Sequence, residues 1–112
     1  MKLVTKSITR RELQDMASKS FGNLVKAVVD IDKQTMAVDA SLHADEEAFL
    51  LSKGSEQSSL WGINLYPGLQ DEDFIEFDSM INLRPGQGNL SRGVDNAEIR
   101  SQIQIIVSKL VK

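Results

Sequence analysis

Two runs rich in β-branched residues, 24–32 (LVKAVVDID) and 35–40 (TMAVDA), meet across a turn at Asp32, Lys33 and Gln34. Such a pair reads as an antiparallel hairpin. Along the first run Val25, Ala27, Val29 and Ile31 share one face, and Lys26, Val28, Asp30 and Asp32 the other. A hairpin here excludes a uniform series of βαβ units and so constrains the whole topology.

The remaining elements follow from periodicity and caps. Residues 1–5 read as a short strand. Thr9, Arg10, Arg11 and Glu12 have the form of a capping box, and Leu13, Met16, Ala17 and Phe21 then fall on one helical face. Gly22 stands where a glycine cap belongs. A second helix is predicted over 44–53, with acids in its first turn, Lys53 in its last and Gly54 beyond. Its expected inward stripe is Ala44, Ala48 and Leu51. Residues 60–66 alternate as a strand in which Gly62 suggests a close backbone approach.

Residues 74–84 read as the longest strand. Ile75, Phe77, Ser79, Ile81 and Leu83 would lie on one face, opposite Glu76, Asp78, Asn82 and Arg84, with Pro85 as the stop. The last helix opens at Asp95, Asn96, Ala97 and Glu98, with Asp95 as the expected cap. It continues through Ile99, Ile103, Ile106, Val107 and Leu110. The order β-α-β-β-α-β-β-α predicts an α+β fold: a mostly antiparallel sheet with helices packed on one face. One domain, 1–112, is expected.

The net charge of −3 conceals a division. Residues 1–29 hold six basic and two acidic side chains, residues 30–79 two and twelve, and residues 80–112 five and two. The acidic middle repels a polyanion, so no nucleic-acid partner is expected. Without cysteine there is neither disulfide nor thiolate metal site, and a reducing compartment, the cytoplasm, is expected. No signal-peptide pattern or membrane span is legible, so no membrane partner is expected either.

The side chains with chemistry gather late in the chain. Asn82 and Arg84 precede a glycine-bearing loop, 85–94, that carries Gln87, Asn89, Ser91 and Arg92 and leads to a helix N terminus, where an anion is favoured. No lysine occurs between Gly54 and Ser108, so an anion there would meet Arg84, Arg92 or Arg100. The loop matches no nucleotide-binding fingerprint. His43, the one histidine, is the candidate general base, oriented by Asp39 or Asp45. No cofactor or metal is implied. Trp61 and Tyr66 read as core anchors.

Three segments taken together carry a resemblance: Leu42-His43-Ala44-Asp45, the stretch 60–67 (LWGINLYP), and Ile81-Asn82-Leu83-Arg84-Pro85 with Gln87-Gly88-Asn89. In this order they resemble a small bacterial family, from cyanobacteria and other bacteria, known only as a domain of unknown function. The resemblance implies no activity, cofactor or partner. It marks His43, Asp45, Asn64, Asn82, Arg84, Gln87 and Asn89 as motif positions. The family pattern has Arg where this chain has Leu90, which separates the chain from any fixed arginine set.

Two functional expectations follow. The first is a small anionic ligand held by Asn82, Arg84, Gln87, Asn89 and Arg92, between loop 84–92 and the start of the second helix. His43 would then serve a hydrolytic step. The alternative is a non-catalytic interaction or structural module, which could pair with a second copy of itself. Whether the chain is an enzyme is left open by the sequence.

Overall fold

The computed structural model describes residues 1–112. Five strands and three helices follow the expected order: β1 (Lys2–Val4), α1 (Arg10–Lys19), β2 (Val25–Asp30), β3 (Thr35–Val38), α2 (His43–Ser52), β4 (Leu60–Leu65), β5 (Ile75–Glu76) and α3 (Ala97–Leu110). The fold is α+β. All strand pairs are antiparallel in one sheet of order β1-β3-β2-β4-β5.

The local signals act as their chemistry requires. Thr9 caps α1, accepting the Glu12 amide at 3.0 Å, while the Glu12 carboxylate accepts the Thr9 amide at 3.3 Å. Gly22 and Gly54 take positive φ just past α1 and α2. At α3 the cap is Asn96, not Asp95: its side-chain oxygen accepts the Glu98 and Ile99 amides. Asp95 instead accepts the Leu90 amide and the Ser91 hydroxyl, so it belongs to the preceding loop.

The helices do not all share one face, which corrects the expectation. Ala27, Val29, Met36, Val38, Ile63 and Leu65 point to the side covered by Leu13 and Ala17 of α1 and Ile103, Val107 and Leu110 of α3. Helix α2 lies on the opposite side, where Leu50 meets Val28, Ala37 and Leu60, flanked by Leu3, Phe49 and Ile81. The reason is visible in β2. Val28 is buried like its odd-numbered neighbours, so both faces of the central strand need a cover.

The strand expected over 74–84 is also corrected. Only Ile75 and Glu76 pair with β4, and the chain then turns into a short 3-10 segment, Met80–Asn82, capped by the Ser79 hydroxyl. Gly62 explains the change. A Cβ placed on Gly62 would lie 2.5 Å from the Cβ of Ser79, so the chain crosses β4 where β4 has no side chain. The inferred close approach at Gly62 is real, but it ends the ladder instead of continuing it.

Candidate functional site

Beyond Glu76 no strand covers the outer edge of β4, and side chains take over its hydrogen bonds. The Asn82 amide does so at Gly62: Oδ1 accepts the Gly62 N–H at 2.8 Å, and Nδ2 donates to the Gly62 carbonyl at 2.9 Å and to the Arg92 carbonyl at 3.0 Å. One residue pair earlier, Arg84 donates to the carbonyls of Leu60, Gln57 and Ile81 and to Gln87 Oε1. Its guanidinium lies 4.3 Å from the centre of the Trp61 ring. Burial draws the Arg84 pKa below its ordinary value.

The rest of the loop is tied in the same manner. Gln87 donates to the Ser58 carbonyl at 2.8 Å. Asn89 donates to the carbonyls of Asn82, Ser91 and Gly93 and accepts the Asp95 amide. Asn82, Arg84, Gln87 and Asn89 thus form one connected brace, bonded to one another and to main-chain carbonyls. Nearly every donor in the brace already meets a protein acceptor. Arg92 differs: it is exposed and paired with Asp78 at 2.7 Å through Nε alone.

His43 does not join this brace. It occupies the first position of α2, buried, and its Nε2 donates to the Ile63 carbonyl at 2.7 Å. That bond places the neutral ring's proton on Nε2. Burial lowers the His43 pKa below 6.5, with the Ile63 bond opposing. Its partner is a main-chain carbonyl rather than Asp39 or Asp45.

Helix α2 shows what periodicity missed. The expected inward residues Ala44, Ala48 and Leu51 are all exposed, and His43, Glu46 and Leu50 are buried. Leu50 sets the phase by filling the apolar patch of Val28, Ala37 and Leu60. Glu46 is then carried beneath the helix, where Oε2 accepts the Ala40 amide at 3.0 Å and Oε1 has no partner. Burial pushes its pKa up to about 9, so the carboxyl is neutral at neutral pH. The signal available in sequence was the spacing of His43, Glu46 and Leu50, which the apolar alanines outweighed.

On the same side of the sheet, Asn64 sits in β4 beside a polar group at the β5 end. Its Nδ2 donates to Glu76 Oε1 at 2.8 Å, and the Tyr66 hydroxyl reaches the same oxygen at 2.9 Å. No group of three or more histidine or carboxylate side chains is arranged to hold a metal ion.

The largest groove, about 500 Å³, lies elsewhere, where Arg10, Phe74 and Ile75 face Val107 and Val111 at the end of α3. None of the brace residues, His43 or Arg92 lines it or the next three grooves. No helix is long and apolar enough to cross a membrane. No curated protein and no solved structure matches the chain. One family model does, over residues 2–110: the chain belongs to the family described as a protein of unknown function (DUF5674).

Proposed function

We propose that this protein is a non-catalytic interaction module that docks through the outward face of α2, with a second copy of the chain as its partner. One observation carries the reading: α2 is turned inside out. It buries His43 and Glu46 and presents Ala44, Ala48 and Leu51 to solvent, against the ordinary preference of apolar side chains for the core. The adjacent turn adds Met80 and Leu83, 61% and 43% exposed, which extend the apolar strip beside the helix.

The choice of a second copy rests on charge. Asp45 near the start of α2 and Lys53 just past its end stand at opposite ends of the strip. An antiparallel copy related by a two-fold axis near Ala48 brings each acid toward the partner's lysine and sets the helix dipoles against one another. The small Ala44 and Ala48 side chains permit close approach. Sedimentation equilibrium tests this. Concentration-dependent dimer in the natural protein and monomer in Leu51→Lys support it, and monomer in both overturns it.

The anionic-ligand reading retains one support. Arg92 keeps terminal nitrogens free beside Asp78, and the N terminus of α2 carries no side-chain cap. Asn82, Arg84, Gln87 and Asn89 would then shape the loop that presents Arg92, with His43 next to the ligand. A thermal-shift screen with phosphorylated metabolites and carboxylates tests it: a shift lost in Arg92→Ala supports the site, and no shift removes it.

A further inference from the structure

Arg10 is held quite differently from Arg84. It opens α1, half-buried, and only its Nη1 makes hydrogen bonds, to the carbonyls of Pro67 and Leu69 at 3.0 Å each. Its guanidinium lies over the Phe74 ring, 4.1 Å from the centre. These contacts fix the group, yet Nε and Nη2 meet no protein acceptor, whereas Arg84 commits all three of its nitrogens. The uncommitted pair, Nε and Nη2, is the edge that takes a carboxylate side-on through two parallel hydrogen bonds. The chain's ion pairs are Lys2–Glu12 and Arg92–Asp78, so the acids of the nearby turn, Asp71 to Asp73, do not use it.

Arg10 also lines the largest groove, on the α1 and α3 side of the sheet, away from the α2 strip and the brace. Pro67 and Leu69 stand outside that lining, so the Nη1 contacts lead away from the groove. Its apolar wall is Phe74, Ile75, Val107 and Val111, all buried or half-buried. Its volume of about 500 Å³ falls within the roughly 300–1,000 Å³ of small-molecule sites. The exposed charges are Asp71, Glu72 and Lys112. With Arg10 they balance, two cations against two acids, so no net field gathers a polyvalent anion there.

We infer that this groove binds a small monocarboxylate with an apolar body, such as a branched or aryl-substituted alkanoate. Arg10 Nε and Nη2 take the carboxylate, and the hydrocarbon covers Phe74, Ile75, Val107 and Val111. Arg10 Nη1 ties the turn at Pro67 and Leu69 to α1, a structural task that leaves the other edge for the ligand. The second charge of a phosphate ester would meet Asp71 and Glu72 and is disfavoured. A neutral ligand would leave the guanidinium edge without a partner.

The test is a titration of ¹⁵N- and methyl-¹³C-labelled protein with isocaproate, and with isocaproamide as its neutral counterpart. The expected result is a saturable shift of the Val107 and Val111 methyl signals and of the Arg10 Nε–H with the acid. The amide should bind about tenfold more weakly or worse. Arg10→Lys keeps the charge without the fork and should weaken isocaproate binding about tenfold. Gln104→Glu adds a negative charge at an exposed position of the groove and should weaken it about threefold. Gln102→Glu, the same change on α3 outside the groove, should leave binding unchanged. The same spectra report whether each variant is folded. Absence of a saturable shift, equal affinity for the amide, undiminished binding by Arg10→Lys, or identical behaviour of the two glutamate variants would each overturn the site.

Discussion

Asn82 stands opposite Gly62 as a strand residue would, its one side chain supplying both the acceptor for the Gly62 amide and the donor for the Gly62 carbonyl. The amide group replaces a missing ladder at the sheet edge. Asn82→Ala leaves a buried N–H and C=O unpaired, so we expect a loss of about 3 kcal/mol, read from urea unfolding. Asn82→Asp should fare no better, because it supplies no amide donor for the carbonyls of Gly62 and Arg92.

Gly62 contributes the other half of this relationship. In Gly62→Ala the new methyl meets both Ser79 Cβ and its hydroxyl, and the loop must move. We expect the variant to be destabilised by about 2 kcal/mol, with Ser79→Gly restoring part of the loss. Loss in Gly62→Ala without recovery in the double variant would place the strain elsewhere.

The two arginines of the loop should separate cleanly. Arg84→Ala removes four hydrogen bonds and the contact with Trp61, and about 2–4 kcal/mol of stability with them. Arg92→Ala breaks one exposed pair and should change stability by less than about 0.5 kcal/mol. Chemical denaturation of the two variants side by side is sufficient.

Glu46 predicts a pH dependence of definite sign. Its carboxyl ionises near 4.5 in the unfolded chain and only near 9 in the fold. Between these values the native state holds a proton that the unfolded state has released. Stability therefore falls as pH rises, by up to about 1.4 kcal/mol per unit, and levels off above about 9. Glu46→Gln should flatten this decline and be more stable than the natural protein at pH 8. A Tm that is lower at pH 8 in the variant would contradict the buried neutral acid.

His43 acts at the other end. Burial depresses its pKa below 6.5, so the unfolded chain takes up a proton before the native state does. Its contribution is intact above about pH 6.5 and is lost as pH falls below it. The ring's NMR titration should show a midpoint under 6.5, with Nε2 carrying the proton at neutral pH. A midpoint above 6.5 would mean that the Ile63 carbonyl outweighs burial.

Much of the fold was legible because its signals are local. The capping box at Thr9, the glycines after α1 and α2 and the hairpin at Asp32 each depend on a few adjacent residues. The phase of α2 was not legible, because Leu50 and the patch it fills on β2, β3 and β4 decide it across the sheet. The strand after Glu76 fails for a similar reason: alternation in 77–84 is genuine, but the crossing at Gly62 lies far off in sequence. Asn82, Arg84, Gln87 and Asn89 were singled out together and do lie together. That their partners are main-chain carbonyls depends on the missing strand, which no local pattern announces.

The outward face of α2 can be probed directly because the chain contains no cysteine. A single Ala48→Cys substitution places a unique thiol at the middle of the strip, and Lys19→Cys places one at the end of α1 as a control. Treated with a short bis-maleimide, Ala48→Cys should give a covalent dimer rapidly, Lys19→Cys slowly, and Ala48→Cys combined with Met80→Lys hardly at all. Equal rates for Ala48→Cys and Lys19→Cys would mean that α2 meets no second copy, and the proposed docking face would be wrong.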